Sequence, residues 1–495
     1  MNNDTTAMNE SNKTQAVNPA SLGEPRGPDP ERPGHGWYVC PKCGHISQKI
    51  NHVCPNCYYY SSSWYAPSTI YSRWPKRIKI ASLLISPFLI LLVILIISSP
   101  YTPNPFNRTL DTPLETILKE NPDEWTGYGG GPTHDRYKPT GPVPSGTLKW
   151  SVKLGTEATE SAPAVVGGTL FVGGYFKIHA LEAATGKVIW ETETTGPVHS
   201  SPAVHSSFMY VGLLDGRLLA LNKNTGRKIW EVQTGSFIFS SPVITGGVLY
   251  QGSGDEILYA INAKTGEVFW ELPGNGRLYF SPAVIDGIIY LPVNNRSLYG
   301  LGADNGVQRM RFRTYRDLVD SPVVANGLIY YVTRDGPLST IRHKARDYPG
   351  EYALKWMWTQ LWIWDIPGVP APQKQAGAMW SVKPFSSKKG FSTSPAVTPD
   401  AVFMGDRRGK FYAREALTGD YLWGYRTNTP ITTAPLAVGD QVFFGNEKGI
   451  LYALDQKDGR LLWKLSLGSK VITGPVYASG LIYVKTADGM LHAVE

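Results

Sequence analysis

Residues 177–193 read KIHALEAATGKVIWETE and residues 217–233 read RLLALNKNTGRKIWEVQ. The two stretches stand 40 positions apart and share the pattern A-x-x-x-x-T-G-x-x-x-W. In each, a run of alternating apolar residues meets a Thr-Gly turn and a second run that closes on Trp190 or Trp230. Two such runs around a Gly turn are the signature of a β-hairpin. The pattern returns along the chain. A small residue recurs at Ala180, Ala220, Ala260, Gly300, Ala413 and Ala453, and Trp recurs at Trp150, Trp190, Trp230, Trp270, Trp423 and Trp463, with Met310 where the period expects another. A second landmark is a proline after a small polar or apolar pair, at Pro163, Pro202, Pro242, Pro282, Pro322, Pro395, Pro435 and Pro475.

Each unit holds four short strands, as in SPAVV, TLFVG, IHALEA and KVIWETE, separated by Gly-containing turns. A period near 40 with four strands per unit marks a β-propeller blade. Eight proline landmarks give an all-β, eight-bladed propeller over 124–495. The longest interval, Pro322 to Pro395, places an insertion in blade five at about 342–379. The last unit stops at HAVE after its third strand, whereas LKWSVKL stands alone ahead of the first proline landmark. That N-terminal strand is therefore expected to complete blade eight and to remove the free edges of an open sheet.

The repeated motif resembles the docking motif of the pyrroloquinoline quinone (PQQ) propeller repeat, and EWTGYGGGPTHDRYKPT at 124–140 resembles the short lead-in before such propellers. The resemblance implies either a quinoprotein dehydrogenase, with PQQ on the central axis beside Ca(II), or a non-enzymatic relative such as the BamB-type assembly scaffold. In both, it implies a structural role for the motif Trp residues. The vicinal disulfide of many of the dehydrogenases is ruled out, because the propeller contains no cysteine. Residues two and three before each proline are expected to line one mouth of the channel. Glu160, His199 and Asp320 are the candidates there, with Asp320 a residual ligand or base or else a solvated loop carboxylate. One Glu, one Asp and one His are few for a hard cation. Neither PQQ nor Ca is expected on this ground, and the chain reads as a non-enzyme.

Ahead of the propeller the composition changes. Residues 1–34 are polar and Pro-rich, without apolar periodicity, and read as a disordered tail. Residues 35–62 hold all four cysteines of the chain, Cys40 and Cys43 in one C-x-x-C pair and Cys54 and Cys57 in another. Two tight turns at this spacing aim four thiolates at one tetrahedral Zn ion, so a zinc ribbon is expected, with a redox dithiol pair or an iron site as alternatives. Residues 78–99 contain an uncharged apolar run long enough for a transmembrane helix. Arg73, Lys76, Arg77 and Lys79 precede it, and no charge follows until Arg108. The positive-inside bias puts the N-terminus in the cytoplasm and the propeller outside, in a single-pass protein of the cell membrane. Residues 100–123 read as a Pro-rich stalk. Of the net charge of +8, the first 79 residues carry +4 through nine basic and five acidic residues, so the charge marks membrane orientation and no nucleic-acid partner is expected.

The insertion contains YALKWMWTQLWIWDIPG, in which Trp356, Trp358, Trp362 and Trp364 share a register that fits strand and helix alike. It reads as an exposed anchor for a partner or membrane interface, or as a lid on the propeller. The function expected from the sequence is a protein-interaction scaffold with an envelope protein partner and a cytoplasmic partner on the ribbon. A quinoprotein oxidoreductase with an atypical site and a transmembrane sensor with a ligand-binding propeller are the alternatives.

Overall fold

The structure is a computed structural model that describes residues 37–39, 46–48, 124–347, 351–371, 375–384, 390–391 and 393–495. The chain divides into two units, Met1–Ile96 and Ile97–Glu495. In the first, Trp37–Val39 pairs antiparallel with Ile46–Gln48, Val39 standing opposite Ile46. Cys40, Cys43, Cys54, Cys57 and the apolar run at 80–97 lie outside the described residues. Among the described residues no helix is long and apolar enough to cross a membrane.

In the second unit, the described residues form eight antiparallel blades of four strands, arranged in a ring. Strand one of blade 1 is Ala164–Val166, and Thr169–Gly173, Lys177–Glu182 and Val188–Glu193 follow outward. The first strands are short and buried because they crowd round the axis. The fourth strands alternate between exposed and partly covered residues, as a solvated outer edge does. One Cα register shift recurs between strands three and four, for example between Ala180 and Leu181. It places each motif Ala opposite its Trp, as Ala180 stands opposite Trp190.

The motif works between blades. Trp150 donates its indole N–H to Ala183 O of the next blade at 3.1 Å, Trp190 to Lys223 O at 2.9 Å, Trp230 to Ala263 O at 3.1 Å and Trp423 to Gln456 O at 2.8 Å. Each ring lies against the turn glycine of that neighbour: a Cβ on Gly186 would stand 2.8 Å from Trp150 and one on Gly459 2.3 Å from Trp423. Both glycines have positive φ, near 74° and 73°, so the turn and the ring each require a residue without a side chain. Met310 breaks the pattern for a local reason. Its neighbour, blade 5, has no Thr-Gly turn between its third and fourth strands, because the insertion leaves there, and a Trp at 310 would have nothing to dock on.

The lone strand Leu148–Lys153 pairs with Met490–Val494 and completes blade 8, with Trp150 opposite Ala493. This closing seam differs chemically from the other junctions. At five other junctions a glycine at the end of strand two accepts an apolar side chain from the next blade; a Cβ on Gly212 would stand 2.2 Å from Ile238, and one on Gly445 2.6 Å from Val471. At the seam the pair is Lys485 and Thr159. The buried Lys485 Nζ lies 2.9 Å from Thr159 O, 3.1 Å from Thr159 Oγ1, 3.2 Å from Ser161 O and 3.0 Å from Gly173 O, shares its N–H groups among these four acceptors, and so ties blade 8 to blade 1. Burial pushes its pKa down to about 7, against the pull of those four oxygens.

Removal of residues 147–154 opens the ring and should lower the melting temperature by ten degrees or more, of the order expected for several kcal/mol; an unchanged melt would exclude strand exchange as the closure. Between pH 7 and about 10 the unfolded chain holds a proton on Lys485 that the folded chain has released, so this residue's contribution to stability rises with pH. The melting temperature of the wild type relative to Lys485→Met should therefore increase from pH 6 to pH 9, and a flat difference would contradict the assignment.

Candidate functional site

The lead-in, 124–140, crosses the axis at one end of the channel. Its carbonyls take up amides that the first strands leave unpaired. Val165 N donates to Trp125 O, Val204 N to Thr126 O, Val284 N to Pro132 O, Val324 N to Thr133 O, Val397 N to Asp135 O and Ala437 N to Arg136 O, at 2.8 to 2.9 Å. Tyr137–Lys138 then runs parallel to Leu436–Val438 as a fifth strand of blade 7. Six blades thus share one short segment. In blade 3 the equivalent amide, of Ile244, has no lead-in carbonyl among the described hydrogen bonds, and a cavity of about 170 Å³ opens beside it.

With that end sealed, the channel becomes a cup of about 530 Å³ that opens among the loops leading into the first strands. Glu160, His199 and Asp320 all line it. The lead-in adds Tyr128 and Arg136 to its lining, and Phe239, Tyr279 and Phe280 form an aromatic wall. The rings of Phe239 and Tyr279 lie 6.1 Å apart, and Phe237 stacks on Tyr279 at 5.8 Å.

Asp320 is neither a solvated loop carboxylate nor an open ligand. Oδ1 accepts from the Tyr128 hydroxyl at 2.6 Å and from Ser321 N at 2.7 Å, and Oδ2 accepts from Ser394 N at 2.8 Å. The carboxylate therefore staples the lead-in to blades 5 and 6. Burial and the Asp320 charge together raise the Tyr128 pKa, so Tyr128 stays protonated and donating. The Tyr128 ring packs edge-on against His134, and the Arg136 guanidinium lies 4.7 Å above it. His134 is fully buried, and burial together with Arg136 brings its pKa down to about 3. Its Nδ1 lies 3.1 Å from Pro322 O, an acceptor, so the neutral ring carries its proton there and leaves Nε2 bare. His134 and Arg136 both have positive φ, 58° and 54°, a conformation that side chains other than Gly, Asn and Asp seldom adopt.

Several buried polar atoms of the cup have no partner among the described residues: Arg136 Nε, His199 Nδ1, Thr393 Oγ1 and Thr432 Oγ1. Burial lowers the His199 pKa, against Glu160, so its ring is neutral near pH 7. A hard cation is poorly served here. Asp320 is committed to three donors, Glu160 is the other carboxylate of the lining, and no group of three His, Cys, Asp or Glu fit for a metal occurs among the described residues. Calcium does not fit this donor set. A planar acid does, since it could stack on the aromatic wall and meet the guanidinium.

The sequence pointed to Glu160, His199 and Asp320 by their place before the prolines. It did not point to Tyr128, His134 and Arg136, because they lie outside the repeat, nor to Lys485. The signal for Lys485 was present as the charged residue at the end of a strand two whose counterparts end in Gly or Val.

The insertion is a helix, α1 (Glu351–Ile363), followed by a turn, and none of its described residues lines the cup. Trp356, Trp358, Trp362 and Trp364 are all exposed, Trp364 to 69%.

Among curated proteins, the dehydrogenase subunit of the quinone-type alcohol dehydrogenase of Gluconobacter oxydans is 31% identical over 120 residues, 21% of this chain and 16% of that protein. The quinohemoprotein alcohol dehydrogenase ADH-IIG of Pseudomonas putida is 30% identical over 121 residues, 21% of this chain and 17% of that protein. The chain thus spans about a sixth of the length of these relatives. Among solved structures, BamB from Moraxella catarrhalis superposes with a TM-score of 0.53 at 16% identity, covering 70% of this chain and 97% of its own. The quinohemoprotein alcohol dehydrogenase ADHIIG from Pseudomonas putida HK5 superposes at 0.59 and 17%, covering 76% and 80%. At such identities these structures attest to the fold alone.

The expectation of a non-enzyme is corrected by these matches, which are to proteins named as dehydrogenases. It rested on a missing disulfide and on a count of mouth carboxylates, and neither weighs the groups that the lead-in brings to the cup. The family model described as outer membrane protein assembly factor BamB matches residues 142–277 and 371–495, more than half of the chain, and the chain belongs to that family of PQQ-type propellers.

Proposed function

We propose that this is a membrane-anchored, extracytoplasmic propeller whose central cup binds a small planar organic anion, with PQQ the first member of that class to test. The observation that carries the reading is the cup lined both by Arg136, 4% exposed and with no partner for Nε among the described residues, and by an aromatic wall. A buried guanidinium suits a carboxylate, because its planar fork matches two oxygens. Thr393 and Thr432 offer hydroxyls without partners among the described residues, and Phe239 with Tyr279 offers faces for stacking. A quinone held there would supply the redox chemistry; the protein's own part is to bind it, orient it and keep one end of the channel closed to water. The apolar run at 80–97 would anchor the propeller, and a zinc ribbon on Cys40, Cys43, Cys54 and Cys57 would offer a cytoplasmic docking module.

A scaffold role is the second reading. The loops between second and third strands at the cup end mix signs, as in Asp215, Arg217, Asp255, Glu256 and Arg296, and all five are at least partly exposed. Mixed charge on a rim favours a protein partner, and affinity purification under mild detergent would identify it.

Titration of the full chain with PQQ, with and without Ca(II), should show saturable quinone binding that does not require calcium. Arg136→Gln should weaken it at least tenfold, or about 1.4 kcal/mol; absent binding, or binding indifferent to Arg136, would overturn the proposal. Tyr128→Phe removes the staple on Asp320 and should cost about 1 to 2 kcal/mol in the melt. Alcohol-dependent dye reduction by the quinone-loaded chain would decide whether the bound ligand turns over.

A further inference from the structure

We infer that α1 and the strand edge it caps form a second membrane contact, an interfacial anchor that holds the propeller rim against an anionic lipid surface. The inference rests on the proposed membrane span for its tether and on separate observations for its site. The insertion departs at the end of strand three of blade 5, where His343 N donates to Gly327 O, on the turn side of the ring. Glu124 lies on the same side, accepting from Gly167 N in a turn of blade 1. The insertion then follows the outer edge of blade 4. Asp347 N donates to Arg309 O at 3.1 Å, Arg311 N to Asp347 Oδ2 at 2.8 Å, and Gln375 both accepts from Arg313 N and donates to Arg313 O. It thereby covers a strand edge that would otherwise be open to pairing.

Having satisfied that edge, α1 turns its apolar side chains outward. Leu354, Trp356, Met357, Trp358, Trp362 and Ile363 are exposed, Trp356 to 60%, and Trp364 and Ile366 extend the patch. Within the helix the buried Glu351 pairs with Lys355, Trp358 donates its indole N–H to Pro370 O at 3.0 Å, and the rings of Trp356, Trp362 and Trp364 stay exposed. A patch of this size on a solvent-facing rim would promote aggregation if nothing covered it. Its composition selects the occupant. Trp concentrates where an apolar ring meets headgroups, and the neighbouring strand Gln308–Arg313 presents Arg309, Arg311 and Arg313 on one face, with Arg346 beside Arg309. Tryptophan beside arginine matches an anionic bilayer interface, where apolar burial and charge attraction act together. The tether permits the contact. Twenty-six residues separate the apolar run from Glu124, a reach of up to about 85 Å when extended.

The test is photo-crosslinking of the full chain in proteoliposomes that contain a photoactivatable phospholipid, with the labelled peptides mapped by mass spectrometry. Labels should appear on 354–366 as well as on 80–97, should increase when phosphatidylglycerol replaces phosphatidylcholine, and should spare the cup wall around Phe239 and Tyr279. A variant with Trp356, Trp358, Trp362 and Trp364 each changed to Ser should lose at least nine-tenths of the rim label, with its circular dichroism, melt and label on 80–97 unchanged. Rim label that is absent, or that persists in this variant, overturns the inference while label on 80–97 leaves the span standing. Label on neither segment overturns both. Protection of α1 by a co-purified protein in place of lipid also overturns it. Charge-reversed Arg309→Glu and Arg311→Glu should lower the rim label in anionic vesicles severalfold and leave it unchanged in neutral ones.

Discussion

The row of hydrogen bonds from first-strand amides to the lead-in is the constraint on which the site depends. A propeller leaves the channel side of its first strands unpaired, and a buried amide without an acceptor costs about 1 to 3 kcal/mol. Here one segment of a dozen residues meets that requirement in six blades at once. Its shape is fixed by the task. The segment must turn sharply across the axis, and a Cβ on Gly129 would stand 2.6 Å from His134 Cα, so the Gly run GYGGGP is what lets it pass. The chemistry of the cup is a consequence of that path: Tyr128, His134 and Arg136 are carried to the axis, Tyr128 is stapled to Asp320, and a through-channel becomes a cup.

The ring itself is held by a simpler device used repeatedly, an indole laid on the glycine turn of the next blade. The two irregularities of the repeat belong to one event. Where blade 5 exchanges its Thr-Gly turn for an insertion, blade 4 exchanges Trp for Met310, and the insertion returns to cap blade 4 through Asp347 and Gln375. The closing junction is the other departure. Thr159 and Lys485 replace the apolar and glycine partners used at five other junctions, and the lysine adds a polar tie between blade 1 and the blade that strand exchange completes.

Much of the fold was legible because its cause is periodic. Prolines, turn glycines and motif tryptophans recur at fixed spacing, and the orphan strand around Trp150 had to pair somewhere. The site was legible only in part. Glu160, His199 and Asp320 could be placed by their offset from the prolines, but a solvated Asp320 and a stapled one read alike in sequence. Arg136 and Tyr128 fall in a segment without repeats, whose path is set by amides contributed from blades hundreds of residues away. The insertion was ambiguous for a different reason: Trp at alternating positions with apolar residues between them fits a strand and a helix alike, and only the structure shows a helix with the rings facing outward.

The lead-in seals one end of the channel, and native-state hydrogen exchange resolved to single amides measures that directly. Val165, Val204, Val284, Val324, Val397 and Ala437 should exchange only through global or near-global opening, whereas Ile244, which lacks a lead-in acceptor among the described hydrogen bonds, should exchange at least tenfold faster. Uniformly rapid exchange across the first strands, or protection of Ile244 equal to the rest, would contradict it.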